Sequence, residues 1–401
     1  GREEAMAGKH IGVLTGGGDV PGLNAAIKSV YSTARDRGWM RGGSSNANVT
    51  GILRGWKGAL QMARDQTGAW TDVVPLDDAR VRTVDRYGGT FLHTSRTRPD
   101  RMRRAELPAR LQNRSAELPR AGEDLLDATD VVIENLTELG IDCLIAIGGD
   151  DTLGYAHTLS ARGFPVVGIP KTMDNDVNGT EYSLGFATAI IRAVEFINRQ
   201  RTHLGSHEVV GVFRIFGRDS GFTALGTGMA ISDLRCVIPE HAFDLAALCE
   251  TVARDHAGSP GHYAMVLCSE GAIWKGGKLV EVGPPDAFGH RHKQNVGEAL
   301  ADAITHTTGL PTRAQDLAYD LRSGDPEPFD KIIANTFGTL AIELAAQGKT
   351  GRMVCIEKGV YADTELPDPS RAPRTVDVAS DYDAARFRPR FTSRFGRTIF
   401  L

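Results

Sequence analysis

A chain of 401 residues, 41% hydrophobic and 24% charged, exceeds the ~250–300 residues that one core usually supports, so two domains are expected. Its formal net charge of -4 offers no overall attraction to nucleic acid or to an anionic membrane, and any anion must be met by a local cluster. No run of ~18 apolar residues is present to span a bilayer, the opening residues lack the apolar stretch of a secretory signal, and the five cysteines (143, 236, 249, 268 and 355) show no C-x-x-C pairing, which fits reduced thiols in a cytoplasmic protein.

The first five residues, ahead of Met6, read as a cloning remnant. From there, short β-branched runs alternate with helical patterns, the signature of parallel sheets covered by helices. "HIGVLT" leads to a helix from near Gly22, "DCLIAIGGD" leads to "DTLGYAHTLSARG", and "PVVGIP" leads through "KTMDND" to "SLGFATAIIRAVEFINRQ". A second series follows: "EVVGVFRIFGR", "RCVIPE", "HYAMVLCSEG", a helix after Asn295 and another from about Phe329 to Gln347. The Arg-rich stretch from Thr94 to Gly122 reads as a surface excursion and the C-terminal "RFRPRFTSRFGRTIFL" as a basic tail.

In such folds ligands bind beyond the carboxyl ends of the strands, and three strand ends stand out. After "IGVLT", Gly16, Gly17 and Gly18 would let backbone amides approach an anion at a helix start, or form only a tight connection; neither G-x-G-x-x-G nor a P-loop ending is present. After "CLIAI", Asp150 and Asp151 open a helix, either as ordinary helix-start carboxylates or with Asp150 holding Mg2+ directly or through water. After "PVVGI" comes "PKTMDNDVNG", a solvated loop or a site for phosphate, metal and proton transfer. A diguanylate-cyclase reading of "GGDD" is disfavoured, because Asp-Thr-Leu enters a helix here.

Taken in order, "IGVLTGGGDVPGLNAAI", "GGTFLHTSR", "IAIGGDDT", "GIPKTMDND" and "SEGA" resemble the phosphofructokinase family over most of the chain up to about residue 360. The resemblance implies two Rossmann-like α/β domains with mainly parallel sheets and an active site in the cleft between them. It divides the chain into 6–186 plus about 323–362 for the phosphoryl donor and metal, 187–322 for the sugar phosphate, and an extension over 363–401. It also implies a homodimer or homotetramer. The first Asp of D-x-D, here Asp174, is implied as the base for the sugar hydroxyl, with Asp176 supporting the site's charge. Asp150 matches the metal position for Mg2+, Gly18 the backbone amide at the donor, and Arg96 the guanidinium on the donor phosphates. Thr172 would touch the sugar phosphate or the transferring group. Gly217, Arg218, Glu270, Arg313, Tyr319 and Arg322 match sugar-binding positions, Arg218 being counted also with the catalytic set.

Family members using ATP typically carry glycine where this sequence has Asp151, and often where it has Lys171. A carboxylate at 151 fills that volume and repels the nucleoside-bearing phosphate, and an ammonium at 171 can partner a pyrophosphate oxygen. The pattern is that of the pyrophosphate-dependent members, and Tyr319 in place of His points the same way. The implied reaction is phosphoryl transfer from pyrophosphate to the 1-hydroxyl of fructose 6-phosphate, with an ATP-dependent enzyme, a sedoheptulose 7-phosphate preference and a non-catalytic regulatory paralogue as alternatives. Departures cluster on the sugar side: Arg214 stands where Glu is common, Phe216 where Met is, and Val209 where many relatives place Arg. On the first helix Lys28 and Ser32 replace the paired arginines of effector-controlled relatives, so little response to ADP or phosphoenolpyruvate is expected.

Overall fold

The computed structural model describes residues 8–277, 281–282, 292–293 and 295–392. It resolves into two compact units: one takes the chain up to Thr172, Val177–Gly185 and Ser323–Ala372, the other Met173–Asp176, Phe186–Arg322 and the chain from Pro373. The chain therefore leaves the first unit inside "KTMDND", between Thr172 and Met173. The stretch 363–401, which the sequence suggests as an extension, is shared between the two units, and residues 393–401 of the basic tail lie outside the described residues, as do the first seven.

The first unit is built on β1 (Ile11–Thr15), β2 (Val49–Ile52), β3 (Val73–Pro75), β4 (Cys143–Gly148) and β5 (Val166–Pro170). The second begins with β6 (Val210–Ile215), β7 (Leu234–Val237) and β8 (Ala264–Ser269), followed by the two-residue antiparallel partners β9 (Glu281–Val282) and β10 (His292–Lys293), and by β11 (Thr312–Leu317). The chain then returns to the first unit for β12 (Arg352–Glu357) and β13 (Val360–Glu365). The first sheet runs β13-β12-β5-β4-β1-β2-β3, and the second β11-β6-β8-β7. Pairing is parallel except at the ends of the first sheet, where β2–β3 and β12–β13 are antiparallel. All residues of β1, β4 and β5 are buried, as continuous apolar runs covered on both faces require.

Aromatic packing sets the helix that carries the "GGDD" carboxylates. Trp56, 1% exposed, meets the Tyr155 ring edge-on at 4.7 Å and donates its indole N–H to the Thr152 carbonyl. This fixes the first turns of helix Asp150–Ala161 against helix Gly55–Gln61. The stretch 94–122 lies mostly at the surface as expected, but Met102, Leu107 and Leu111 are buried in the core of this unit and pin the Arg-rich segment to it.

Candidate active site

In the first unit β1, β4 and β5 are neighbours, and their carboxyl ends carry the polar chemistry. The Gly16 amide donates to the Ile147 carbonyl and the Lys171 amide to the Gly148 carbonyl, each at 2.9 Å. Thr152 explains why two of these glycines cannot be replaced: a Cβ on Gly16 would lie 2.5 Å from its Oγ1, and one on Gly148 2.3 Å from its Cβ. Gly17 donates its amide to the Ser95 carbonyl and accepts from the Thr94 hydroxyl, which ties the glycine turn to the loop bearing Arg96. The Gly18 amide has no acceptor among the described residues. Lys171, only 3% exposed, donates its Nζ to the Gly18 carbonyl at 2.6 Å, joining the ends of β5 and β1.

The two adjacent carboxylates sit in different surroundings. Burial, reinforced by the charge of Asp151, pushes the Asp150 carboxyl up to about 6, against a hydrogen bond from the Asn178 backbone. No Lys, Arg or His among the described residues forms an ion pair with Asp150. Asp151 has 89% of its side chain exposed and faces Arg98 Nη1 at 3.4 Å. Arg98 in turn is gripped on two prongs by Asp100, at 3.0 and 2.8 Å. Arg96 is exposed and makes no hydrogen bond or ion pair with the described residues, while the Thr172 amide donates to the Leu184 carbonyl. Among the described residues no group of three or more His, Cys, Asp or Glu is gathered as a metal cage. One uncompensated carboxylate among oxygen donors nevertheless suits Mg2+, which keeps waters and takes few protein ligands.

In the second unit the backbone of "MDND" is held while its carboxylates stay half-buried. The buried Thr223 hydroxyl donates to the Met173 carbonyl, Arg374 Nη2 to the Asn175 carbonyl, and the Arg374 amide to the Asp176 carbonyl. Asn175 adopts φ 54°, a left-handed turn that Asn tolerates and that lies between the two Asp residues. Arg374, whose guanidinium covers the Phe222 ring at 4.2 Å, is a structural contributor that sequence reasoning missed, because nothing in "SRAPRTVD" distinguishes it from Arg371.

Beyond β6 and β8 of the same unit, main-chain bonds join the loop of Gly217 and Arg218 to that of Glu270. The Glu270 amide donates to the Ile215 carbonyl and the Gly271 amide to the Gly217 carbonyl. Arg218 is exposed and without an ion-pair partner among the described residues. Phe216 links this loop to the turn at 319–322: its ring lies 5.9 Å from that of Tyr319 and 4.5 Å under the Arg322 guanidinium. Arg322 also donates to the Met173 sulfur, which brings it to the Asp174 segment. Arg313 is set apart, since it pairs in register with Gly211, four residues before the end of β6, or roughly 13 Å back along the strand.

The comparisons with known proteins identify the family. The phosphofructokinase family model matches residues 10–345. A pyrophosphate–fructose 6-phosphate 1-phosphotransferase of Amycolatopsis mediterranei is 35% identical over 94% of this chain and 99% of its own length. An ATP-dependent 6-phosphofructokinase of Corynebacterium efficiens is 34% identical over 88% and 91%. The crystal structure of a pyrophosphate-dependent phosphofructokinase from Marinobacter aquaeolei shares the fold with a TM-score of 0.73 at 19% identity, covering 96% of this chain and 90% of that one. A family match running across most of both units, with relatives aligned over nearly their full length, places the chain in the phosphofructokinase family of kinases.

Proposed function

We propose that the chain transfers a phosphoryl group from pyrophosphate to the 1-hydroxyl of fructose 6-phosphate, reversibly giving fructose 1,6-bisphosphate and phosphate. The observation that carries the choice of donor is Asp151, an exposed carboxylate opening the helix after β4 beside the glycine turn. A nucleoside attached to the donor would meet its bulk and its charge. Lys171 and the Gly18 amide then receive pyrophosphate oxygens, with Arg96 as the forked cation on the same anion. Asp174 accepts the proton of the 1-hydroxyl as its oxygen bonds to the transferred phosphorus; the bridging P–O bond breaks and the departing phosphate keeps the electron pair. Asp176 supports the charge of that site, and Thr172 touches the transferring group. Asp150, with the donor's own oxygens and water, would hold Mg2+, which when bound supplies charge neutralisation at the transferring oxygens. Arg218, Glu270, Tyr319 and Arg322 receive the sugar phosphate, and Arg313 serves it from a homodimer or homotetramer interface.

An ATP-dependent reaction is the second reading, favoured by the ATP-dependent relative from Corynebacterium efficiens at almost the same identity. The deciding measurement is kcat/KM for pyrophosphate and for ATP at fixed free Mg2+, in the parent and in Asp151→Gly. The parent should prefer pyrophosphate, and the variant should move the ATP-to-pyrophosphate ratio by about tenfold or more, since removing a repulsive element is a standard route to altered specificity. A parent that prefers ATP, or an unchanged ratio in the variant, refutes the donor assignment. The same assay with sedoheptulose 7-phosphate tests the acceptor.

A further inference from the structure

Arg214, the penultimate residue of β6, has a side chain only 17% exposed. Its guanidinium meets the carboxylates of two flanking strands. Nη1 lies 2.5 Å from Asp316 Oδ1 on β11, the residue directly opposite it in register, and Nη2 lies 3.2 Å from Glu270 Oε1, immediately past β8. The space beside it is shaped to let it through, because a Cβ on Gly297 in the first turn of helix Val296–Thr308 would come within 2.9 Å of the Arg214 Cβ. Glu270 is about one-third exposed and makes its closest approach to Arg214 through Oε1; Oε2 makes no hydrogen bond with the described residues.

We infer that Arg214 is a positioning residue for the acceptor, aiming Glu270 so that its second oxygen receives a sugar hydroxyl. This rests on the reading of Glu270 as a sugar-binding residue. Two features support it beyond simple pairing. A glutamate has three rotatable bonds, and fixing one carboxylate oxygen on a buried fork removes most of that freedom before the sugar arrives, which lowers the cost of binding. Arg214 also offsets the negative charge of Glu270 and Asp316, which would otherwise repel a sugar phosphate arriving at the same strand ends. Arginine suits the task and lysine does not, since the contacts leave from two nitrogens of one planar group toward carboxylates on opposite sides.

The test is a steady-state cycle on the full chain, with whichever donor the parent uses, comparing Arg214→Met, Arg214→Lys, Glu270→Gln and the Arg214→Met/Glu270→Gln double variant. Arg214→Met should raise the KM for fructose 6-phosphate by about tenfold or more, a loss typical of a displaced charged contact. The donor KM should stay within about twofold at saturating acceptor. Arg214→Lys should recover part of the loss. In the Glu270→Gln background, Arg214→Met should cost little further, because two groups acting as one unit are not additive. A purely structural Arg214 would lower the melting temperature and leave that non-additivity absent. An acceptor KM unchanged in Arg214→Met, or effects that add fully in the double variant, overturns the proposal while Glu270→Gln alone reports whether Glu270 binds sugar. If Arg214→Met does not fold, Arg214→Lys decides: an acceptor KM equal to the parent's refutes the fork, and a selective rise in it supports the proposal. None of these outcomes depends on the donor being pyrophosphate, so failure of the donor assignment is read separately.

Discussion

Replacing Asp150 by Asn should stabilise the ligand-free protein while removing its activity. The Asp150 carboxyl is pushed from 3.8 to about 6 by burial and by Asp151; because one pKa unit is about 1.4 kcal/mol, the ionised side chain costs the fold about 3 kcal/mol at most. A carboxyl raised in the folded state binds its proton more tightly there than in the unfolded chain, so the cost is small near pH 4, about half developed near pH 5 and complete above about pH 7. The neutral, isosteric amide escapes it, so the difference in unfolding free energy between Asp150→Asn and the parent should grow over that interval in the variant's favour. Denaturant unfolding of both proteins at matched pH between about 4 and 8 measures the difference directly. Saturating Mg2+ with pyrophosphate should narrow the gap by stabilising the parent selectively. A variant no more stable than the parent at pH 8, or a gap that shrinks as pH rises, would refute the account of this carboxylate.

Asp174→Asn should lower kcat by at least ~10²-fold with the melting temperature nearly unchanged, because it removes proton acceptance and keeps shape; near-parental turnover would reassign the base. Tyr182→Phe should destabilise the protein by about 1–3 kcal/mol in denaturant unfolding, since the fully buried Asp330 loses a 2.6 Å hydroxyl donor; a loss under about 0.5 kcal/mol would contradict the stated role of that bond. ADP and phosphoenolpyruvate should leave the acceptor KM unchanged. Lys28 is already engaged with Asp85 at 2.8 Å, and Lys331 holds the other oxygen of Asp85 at 3.0 Å. Although burial pushes the Asp85 carboxyl up, hydrogen bonds from the two lysines hold it below its ordinary value, so this pair is not available to a diphosphate. A severalfold shift on adding either effector would show otherwise.

The parts of the fold that the sequence announces are those whose burial leaves a pattern. The central parallel strands β1, β4, β5, β6 and β8 are apolar runs of five or six residues, buried nearly throughout, and the helices between them fall where expected. Apart from β7, which "RCVIPE" marks, the edge strands are not announced. β13 is "VYADTE" and β11 is "TRAQDL", both largely exposed or half-exposed, and a strand with one neighbour and a wet face carries no apolar run. The surface reading of 94–122 holds for most of its residues but misses Met102, Leu107 and Leu111, single buried anchors spaced among exposed arginines. Among site residues, strand ends were legible from residue type, whereas Arg98, Arg374 and the partners of Arg214 were not. Each of those pairs spans a long stretch of sequence, and a pairing between distant segments has no local signature.

Those charge pairs separate the acidic residues of the candidate site into two kinds. Asp151 is faced by Arg98 and Glu270 by Arg214, so each carboxylate has a cation supplied by the protein before any ligand arrives. Asp150 is more buried than Asp151, carries the adjacent charge, and among the described residues receives only a backbone hydrogen bond. A carboxylate held in this way is destabilising unless something outside the described residues compensates it. The contrast with Asp151 and Glu270, which have cationic partners where Asp150 has none among the described residues, is what an external cation proposed at the carboxyl end of β4 would answer. This contrast supports assigning Mg2+ to Asp150 rather than to Asp151, and it accounts for the same substitution at 150 being expected to raise stability and abolish turnover.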